Sequence, residues 1–324
     1  MTSIEIKPGF QSDGAEVLDP VDPARPTPEL IPIDSLTAVH SGRWTFLILD
    51  GAAFLMQAMH PVIGEVTGRY SASFKGDPGG RAIRSVDSVL RWTYGGEEAI
   101  NEGNRVRAMH QSLTMTNSSG KRISALNPDA YQWVIATGYL IMSKAGRMLI
   151  GGEFTDAEKQ ELVRDNIRHA RILHVPLRGY PTSPAEFDEY FERQLPKLEA
   201  TAQAKHIMGE LTASRVEVSD SVPKVFHPLL QFIFRPVARL GYLSTAGLLD
   251  PRLRDLLGIN WTEEQERQFL RWYGVIRTLY RILPDRLTYF PLAYHARKRH
   301  QCIEKMHERQ KKSYIHRVEE FRIG

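Results

Sequence analysis

The residues of this chain that could do chemistry concentrate between positions 43 and 113. His110 falls on one helical face with Val106, Met109 and Leu113. An imidazole on such an apolar stripe either hydrogen-bonds to a backbone carbonyl or offers a lone pair to a metal, because leaving it unpartnered there is costly. Arg81, Arg84, Ser85 and Ser88 fall at i, i+3, i+4 and i+7, which makes one polar stripe on a single helix. An arginine there is permanently cationic and takes a carboxylate in bidentate fashion. His60 stands before Pro61, and proline disfavours the helical conformation in its predecessor, so this imidazole is set at a helix end. Weaker patterns lie further on. Glu304 and His307 have the Glu-x-x-His spacing of a carboxylate-bridged di-iron helix, a site that needs a second copy and two more carboxylates. His169 and His174, five apart, do not share a helix face well enough to chelate.

These residues need helices to position them, and the sequence supplies helix signals almost throughout. The stretch 44–60 is apolar nearly all round, interrupted only by Thr45, Asp50 and Gln57, which describes a helix buried on most of its faces. A second helix runs from Pro61 to about 71, and Lys75-Gly76-Asp77-Pro78-Gly79-Gly80 reads as a turn. The arginine stripe follows on a third helix that Gly95-Gly96 ends, and the fourth opens at Glu97-Glu98 and carries His110. Thr114 to Lys121 is a polar connection with Asn117-Ser118-Ser119-Gly120 as its turn. Asn127-Pro128 opens a helix to about 149, since asparagine caps well and proline suits the first turn. Thr155 with Glu158 forms a capping box for a helix to about 173. Ser183 with Glu186 starts one to about 204, and Thr262 with Gln265 starts another.

Strand alternation is nearly absent, and so are a Gly-x-Gly-x-x-Gly or P-loop between strand and helix, which removes the common nucleotide folds. The expected architecture is all-α: one multi-helix domain over 29–290. A proline-rich 1–28, of extended or disordered composition, precedes it, and a basic helix over 291–324 follows.

Composition sets the outer bounds. With 324 residues, 42% of them hydrophobic and 25% charged, the chain is an ordinary globular one and can bury about three quarters of its unfolded surface. The single Cys302 excludes an internal disulfide and fits a reducing compartment. The start has acids and no apolar run, unlike a signal peptide, and the expected location is cytoplasmic. Between Arg297 and Arg322 nine Lys/Arg stand against four Asp/Glu. That helix reads as a solvated face or as a peripheral contact with an anionic membrane surface. Nucleic acid is the weaker partner, as few stacking aromatics beyond Tyr314 interleave the charges.

In order and spacing, Met59-His60-Pro61, the Asp77-Pro78-Gly79-Gly80-Arg81 turn with Ser85 four residues on, Tyr94-Gly95 and Val106-Arg107-Ala108-Met109-His110 resemble one family. It comprises haem-dependent oxygenases related to the latex-clearing protein of rubber-degrading bacteria and the fungal oxygenase of mycophenolic acid synthesis. The likeness runs from Arg43 to Tyr289 and includes Tyr131-Gln132-Trp133-Val134, Leu173-His174-Val175-Pro176 and Leu283-Pro284. The resemblance implies a globin-like helical core enclosing haem b, with His110 as the axial ligand of its iron. It also implies Arg81 and Ser85 beside the haem propionates, with serine where threonine is more usual. Glu65 then takes the place of a distal base and Arg84 that of a distal cation, while His60 lines the pocket, bonds a propionate or simply stops a buried helix. Ile135 stands where relatives carry a histidine. The implied activity is O2-using oxidation of a small apolar, unsaturated compound, for which Phe54, Leu55, Met56, Met59, Val89, Leu90 and Trp92 offer a lining. Two other classes compete: a haem-binding sensor or carrier without turnover, and a non-haem di-iron protein built on Glu304 and His307. Cys302 as a haem thiolate is disfavoured by its neighbours Arg299 and Lys305, which mark an exposed helix.

Overall fold

The computed structural model describes residues 27–70, 78–116, 120–213 and 227–322, with side chains over 27–70, 83–116, 120–213 and 235–311. The proline-rich 1–26 and the Asn117-Ser118-Ser119 part of the expected turn lie outside the described residues. The fold is all-α. Its first helices are α1 (Leu36–Ser41), α2 (Phe46–Ala58), α3 (Pro61–Tyr70), α4 (Pro78–Tyr94) and α5 (Glu98–Gln111). A hairpin of β1 (Thr114–Thr116) and β2 (Arg122–Ser124) pairs antiparallel, with Met115 opposite Ile123. Then come α6 (Pro128–Lys144), α7 (Gly146–Leu149), α8 (Asp156–Ile172), α9 (Pro184–Gln194), α10 (Ala202–Ala213) and α11 (His227–Leu248). The chain ends with α12 (Pro251–Leu256), α13 (Glu263–Ile282), α14 (Asp285–Thr288) and α15 (Pro291–Arg322).

Local chemistry explains where these helices begin and stop. Asn127 accepts from the Ala130 N–H and Pro128 occupies the first turn of α6; Thr155 and Thr262 complete capping boxes at α8 and α13. Ser183 caps α9 as expected, but Glu186 returns its carboxylate to Thr182 rather than to the cap residue. Three expectations are corrected. The helix from Ser183 stops at Gln194 instead of continuing to 204, because Pro196 follows and cannot donate to the ladder. The helix from Asn127 stops at Lys144. Of the expected Lys75-Gly76-Asp77-Pro78-Gly79-Gly80 turn, the first three residues lie outside the described residues and Pro78-Gly79-Gly80 is the start of α4, where the fixed φ of proline suits the first helical positions.

The apolar α2 is the central element, packed against α6 on one side and α11 on another. At His60-Pro61 the chain turns, and α2 and α3 are bent by 106°. The α2 carbonyls freed by that break are answered from 199–201: the Glu199 N–H reaches Met59 O at 3.0 Å and Thr201 Oγ1 reaches Ala58 O at 2.6 Å. Trp133 of α6 is fully buried and donates Nε1–H to Met56 O at 3.0 Å, which fixes the α2–α6 register. Among the described residues no single helix is long and apolar enough to cross a membrane.

One close approach sets the position of α5. A Cβ on Gly103 would collide with the Ile172 carbonyl oxygen and sit 2.9 Å from its carbon, so glycine is what allows α5 to lie against the end of α8. We expect Gly103→Ala to push the two helices apart and to destabilise the fold by about 1–3 kcal/mol. A thermal melt unchanged from wild type would mean that the approach is not fixed.

Candidate active-site cavity

Helices α2 to α6 and α8 leave between them a cavity of about 620 Å³, within the range of small-molecule and cofactor sites. Its walls are mostly apolar, with Phe46, Leu49, Val66, Val89 and Leu162 among them, and a small number of polar side chains reach it. Its long direction follows from the helix pairings. His60 meets Asp129, Met56 meets Trp133, and Gln57 meets Val134 and Thr137. Rising numbers in one helix therefore match falling numbers in the other, and α2 and α6 are antiparallel. The helices α4 and α5 form a hairpin through Gly95-Gly96, and Ser88 bonds Glu102 across it.

His110 lies on the wall, half-buried, at the end of α5. Its Nδ1 is 2.7 Å from the carbonyl oxygen of Val106. A carbonyl cannot donate, so Nδ1 carries the hydrogen, and in the neutral ring Nε2 then holds the lone pair. That tautomer is the one an axial metal ligand needs, with the outer N–H held by a backbone oxygen. The Tyr131 ring lies 6.5 Å from the His110 ring and its hydroxyl donates to Leu173 O at 2.7 Å, which anchors this end of the cavity between α6 and α8.

The same end holds the cations. Arg84 is exposed and Ser85 half-buried, and both reach the cavity from α4; Arg105 reaches it from α5. Arg105 is tied to Glu102 by bonds of 2.6 and 2.7 Å, Ser88 Oγ donates to Glu102 at 2.6 Å, and Arg91 stands 3.4 Å away. These partners, Arg105 first, hold the buried Glu102 carboxyl down to about 2. A depressed carboxylate stabilises the fold above its ordinary range and loses that contribution as pH falls through the interval from about 4.5 to 2. Glu102→Gln should therefore cost about 1–2 kcal/mol near neutral pH, a modest value because both arginine ends are exposed. Urea titrations of the two proteins should converge by pH 2; a gap that persists there would rule out the charge as its source.

Not every sequence candidate reaches the cavity. Arg81 lies in the first turn of α4, but its side chain is outside the described part. His60 is not on the wall. It is buried in a separate network, with Nε2 3.3 Å from Asp129 Oδ2, while Gln194 and Lys197 bond the same carboxylate at 2.7 and 2.9 Å. Those contacts, His60 first, hold Asp129 well below the usual carboxylate range. Of the three roles open to His60, these contacts serve the structural one, tying the α2–α3 corner to the start of α6. Glu65 is also off the wall. The cavity face of α3 is Val62, Ile63, Val66, Thr67 and Tyr70; Glu65, half-buried and one turn after Val62, stands at the edge of that face with Oε2 enclosed and unbonded among the described residues. Glu304, His307 and Cys302 are exposed on α15, and among the described residues no group of three His, Cys, Asp or Glu is placed to hold a bare metal ion.

Other wall groups carry polar atoms to which the sequence assigned no role in the site. His169 of α8 is on the wall, its Nε2 3.2 Å from Thr93 Oγ1, and burial lowers its pKa to about 4, so it is neutral. Among the described residues, Trp92 presents an enclosed Nε1 without a hydrogen-bond partner, and Asp50 an enclosed Oδ2 likewise. The interruption of an all-apolar helix by Asp50 was the available signal for the latter.

Comparisons with known proteins place the chain in context. The family described as "ER-bound oxygenase mpaB/B'/Rubber oxygenase, catalytic domain" matches residues 38–278. Two mycobacterial proteins, Rv2237 of Mycobacterium tuberculosis and Mb2261 of Mycobacterium bovis, are each 27% identical over 187 residues, which is 57% of this chain and 68% of the relative. Both are named as uncharacterized. No solved structure matches the chain significantly.

Proposed function

Because the chain belongs to the family of ER-bound mpaB-type and rubber oxygenases, we propose that it is a haem b-dependent oxygenase acting on an apolar organic substrate. The observation that carries this reading is the His110 Nδ1–H bond to Val106 O on the wall of an apolar cavity. With Nδ1 so held, Nε2 is the ring nitrogen through which His110 would hold the iron of a haem. Arg84, Arg105 and Ser85 supply cations and a hydroxyl at the same end, suited to two propionates. The cavity volume and walls fit a flat apolar macrocycle. Bound haem would supply the redox chemistry with dioxygen that no side chain in the cavity can perform.

The chain's own residues would do the rest. Val106 O fixes the tautomer and orientation of His110. The apolar walls exclude water and receive the hydrocarbon part of a substrate by area burial. His169, kept neutral by burial, adds no charge to the cavity. Family membership does not identify the substrate.

The purified full chain should show an intense Soret band, and a pyridine haemochrome assay should give about one haem b per chain. Iron without a Soret band would discard the haem in favour of a non-haem centre. Oxygen consumption with unsaturated hydrocarbons separates an oxygenase from a haem carrier: bound haem with no uptake on any of them would favour the carrier.

A further inference from the structure

At the end of the cavity away from His110 stands a carboxyl group that none of the described residues answers. Asp50 is 9% exposed, forms no hydrogen bond or ion pair with any described residue, and has Oδ2 wholly enclosed. Its position follows from the antiparallel pairing of α2 and α6. Tyr131 marks the His110 end, and Asp50, two turns before Gln57 in α2, faces the far part of α6 near Ile141. The two ends are roughly 15 Å apart at the helical rise per residue. The helix α1 closes the same far end, since the Tyr94 hydroxyl donates to Ala38 O and the Leu36 N–H reaches Glu161 Oε1 at 2.8 Å. From α1, Thr37 and Ser41, one helical turn apart, reach the cavity with Asp50. Ser41 Oγ donates to Thr37 O at 2.6 Å, so its oxygen remains as an acceptor.

A carboxyl that served only the fold would be bonded, because an unanswered one subtracts from stability. A base working beside the cofactor would stand nearer His110. What remains is an acceptor-rich polar spot at the closed end of a long apolar cavity. We propose that Asp50, with Ser41 and Thr37, is a binding subsite for the hydroxyl end of a long apolar molecule whose hydrocarbon body lies along the cavity toward His110. This rests on reading the cavity as the substrate site. A hydroxyl donates to a carboxylate and can equally accept from a protonated carboxyl, and burial pushes Asp50 up to about 7, where both forms are present near neutrality. A carboxylate end would meet a like charge. An ammonium end would give up its full hydration for a carboxyl that is only partly ionised near neutrality.

Isothermal titration of the full chain with 1-decanol and with 1-methoxydecane tests this, because the ether keeps the oxygen and removes the donor. We expect the alcohol to bind about ten-fold more tightly, the size of one buried hydrogen bond. The ratio should fall to near one in Asp50→Ala and be partly kept in Asp50→Asn, which still has an acceptor. Equal binding of alcohol and ether, a preference that survives Asp50→Ala, or tighter binding of decanoate or decylamine would each overturn the subsite. The Soret band of the same samples reports on the haem separately. An alcohol preference without a Soret band would remove the haem and keep the subsite, and a full band without a preference would do the reverse.

Discussion

His110→Ala should yield a folded protein that purifies without a Soret band. The side chain is half-buried near the end of α5, and its Nδ1 bond to Val106 O lies within its own helix. Alanine is the better helix former, which offsets part of what the ring contributes to folding. What is removed is the lone pair that would hold iron. Circular dichroism melts should stay close to wild type while haem content falls to background, and millimolar imidazole should restore part of the Soret absorbance by filling the space left. His169→Ala is the matched control, since that ring is also on the wall and neutral; it should keep its haem. If His169→Ala lost the band and His110→Ala kept it, the axial role would pass to α8.

The second large effect concerns stability and its dependence on pH. Burial raises the Asp50 carboxyl from 3.8 to about 7, with no counter-charge to offset it. A carboxyl whose folded pKa lies above its unfolded value destabilises the fold once pH rises past the unfolded value, and the penalty is complete above the folded one. For this interval the cost is on the order of 4 kcal/mol at alkaline pH. Asp50→Asn, which keeps the shape and cannot ionise, should therefore unfold at distinctly higher denaturant than wild type at pH 8 and at nearly the same concentration at pH 4. A gain of equal size at both values would show that ionisation is not the cause. Such a cost fits a group retained for binding rather than for folding.

Some of this was legible locally. Helix starts at Asn127, Thr155, Ser183 and Thr262 follow from side chains bonding N–H groups three residues on, and no distant partner is needed for that chemistry. The placement of His110 on an apolar stripe, and the shared stripe of Arg84 and Ser85, followed in the same way from the helical period. What the helical period leaves open is settled by distant partners. Of the three roles open to His60, the contact in the structure is with Asp129, 69 residues away, which takes its Nε2. The place of Glu65 beside the cavity depends on how α3 packs, which its own spacing does not contain.

The sequence alone determined an all-helical chain, the main helix starts, the family, and an imidazole on an apolar helix face, because each depends on the order and spacing of nearby residues. Only the tertiary structure decided which side chains share a cavity, that Val106 O sets the His110 tautomer, and that Asp50 stands unanswered opposite it. Burial and the absence of a partner are properties of several helices brought together. The spacing of residues within any one of those helices does not contain them.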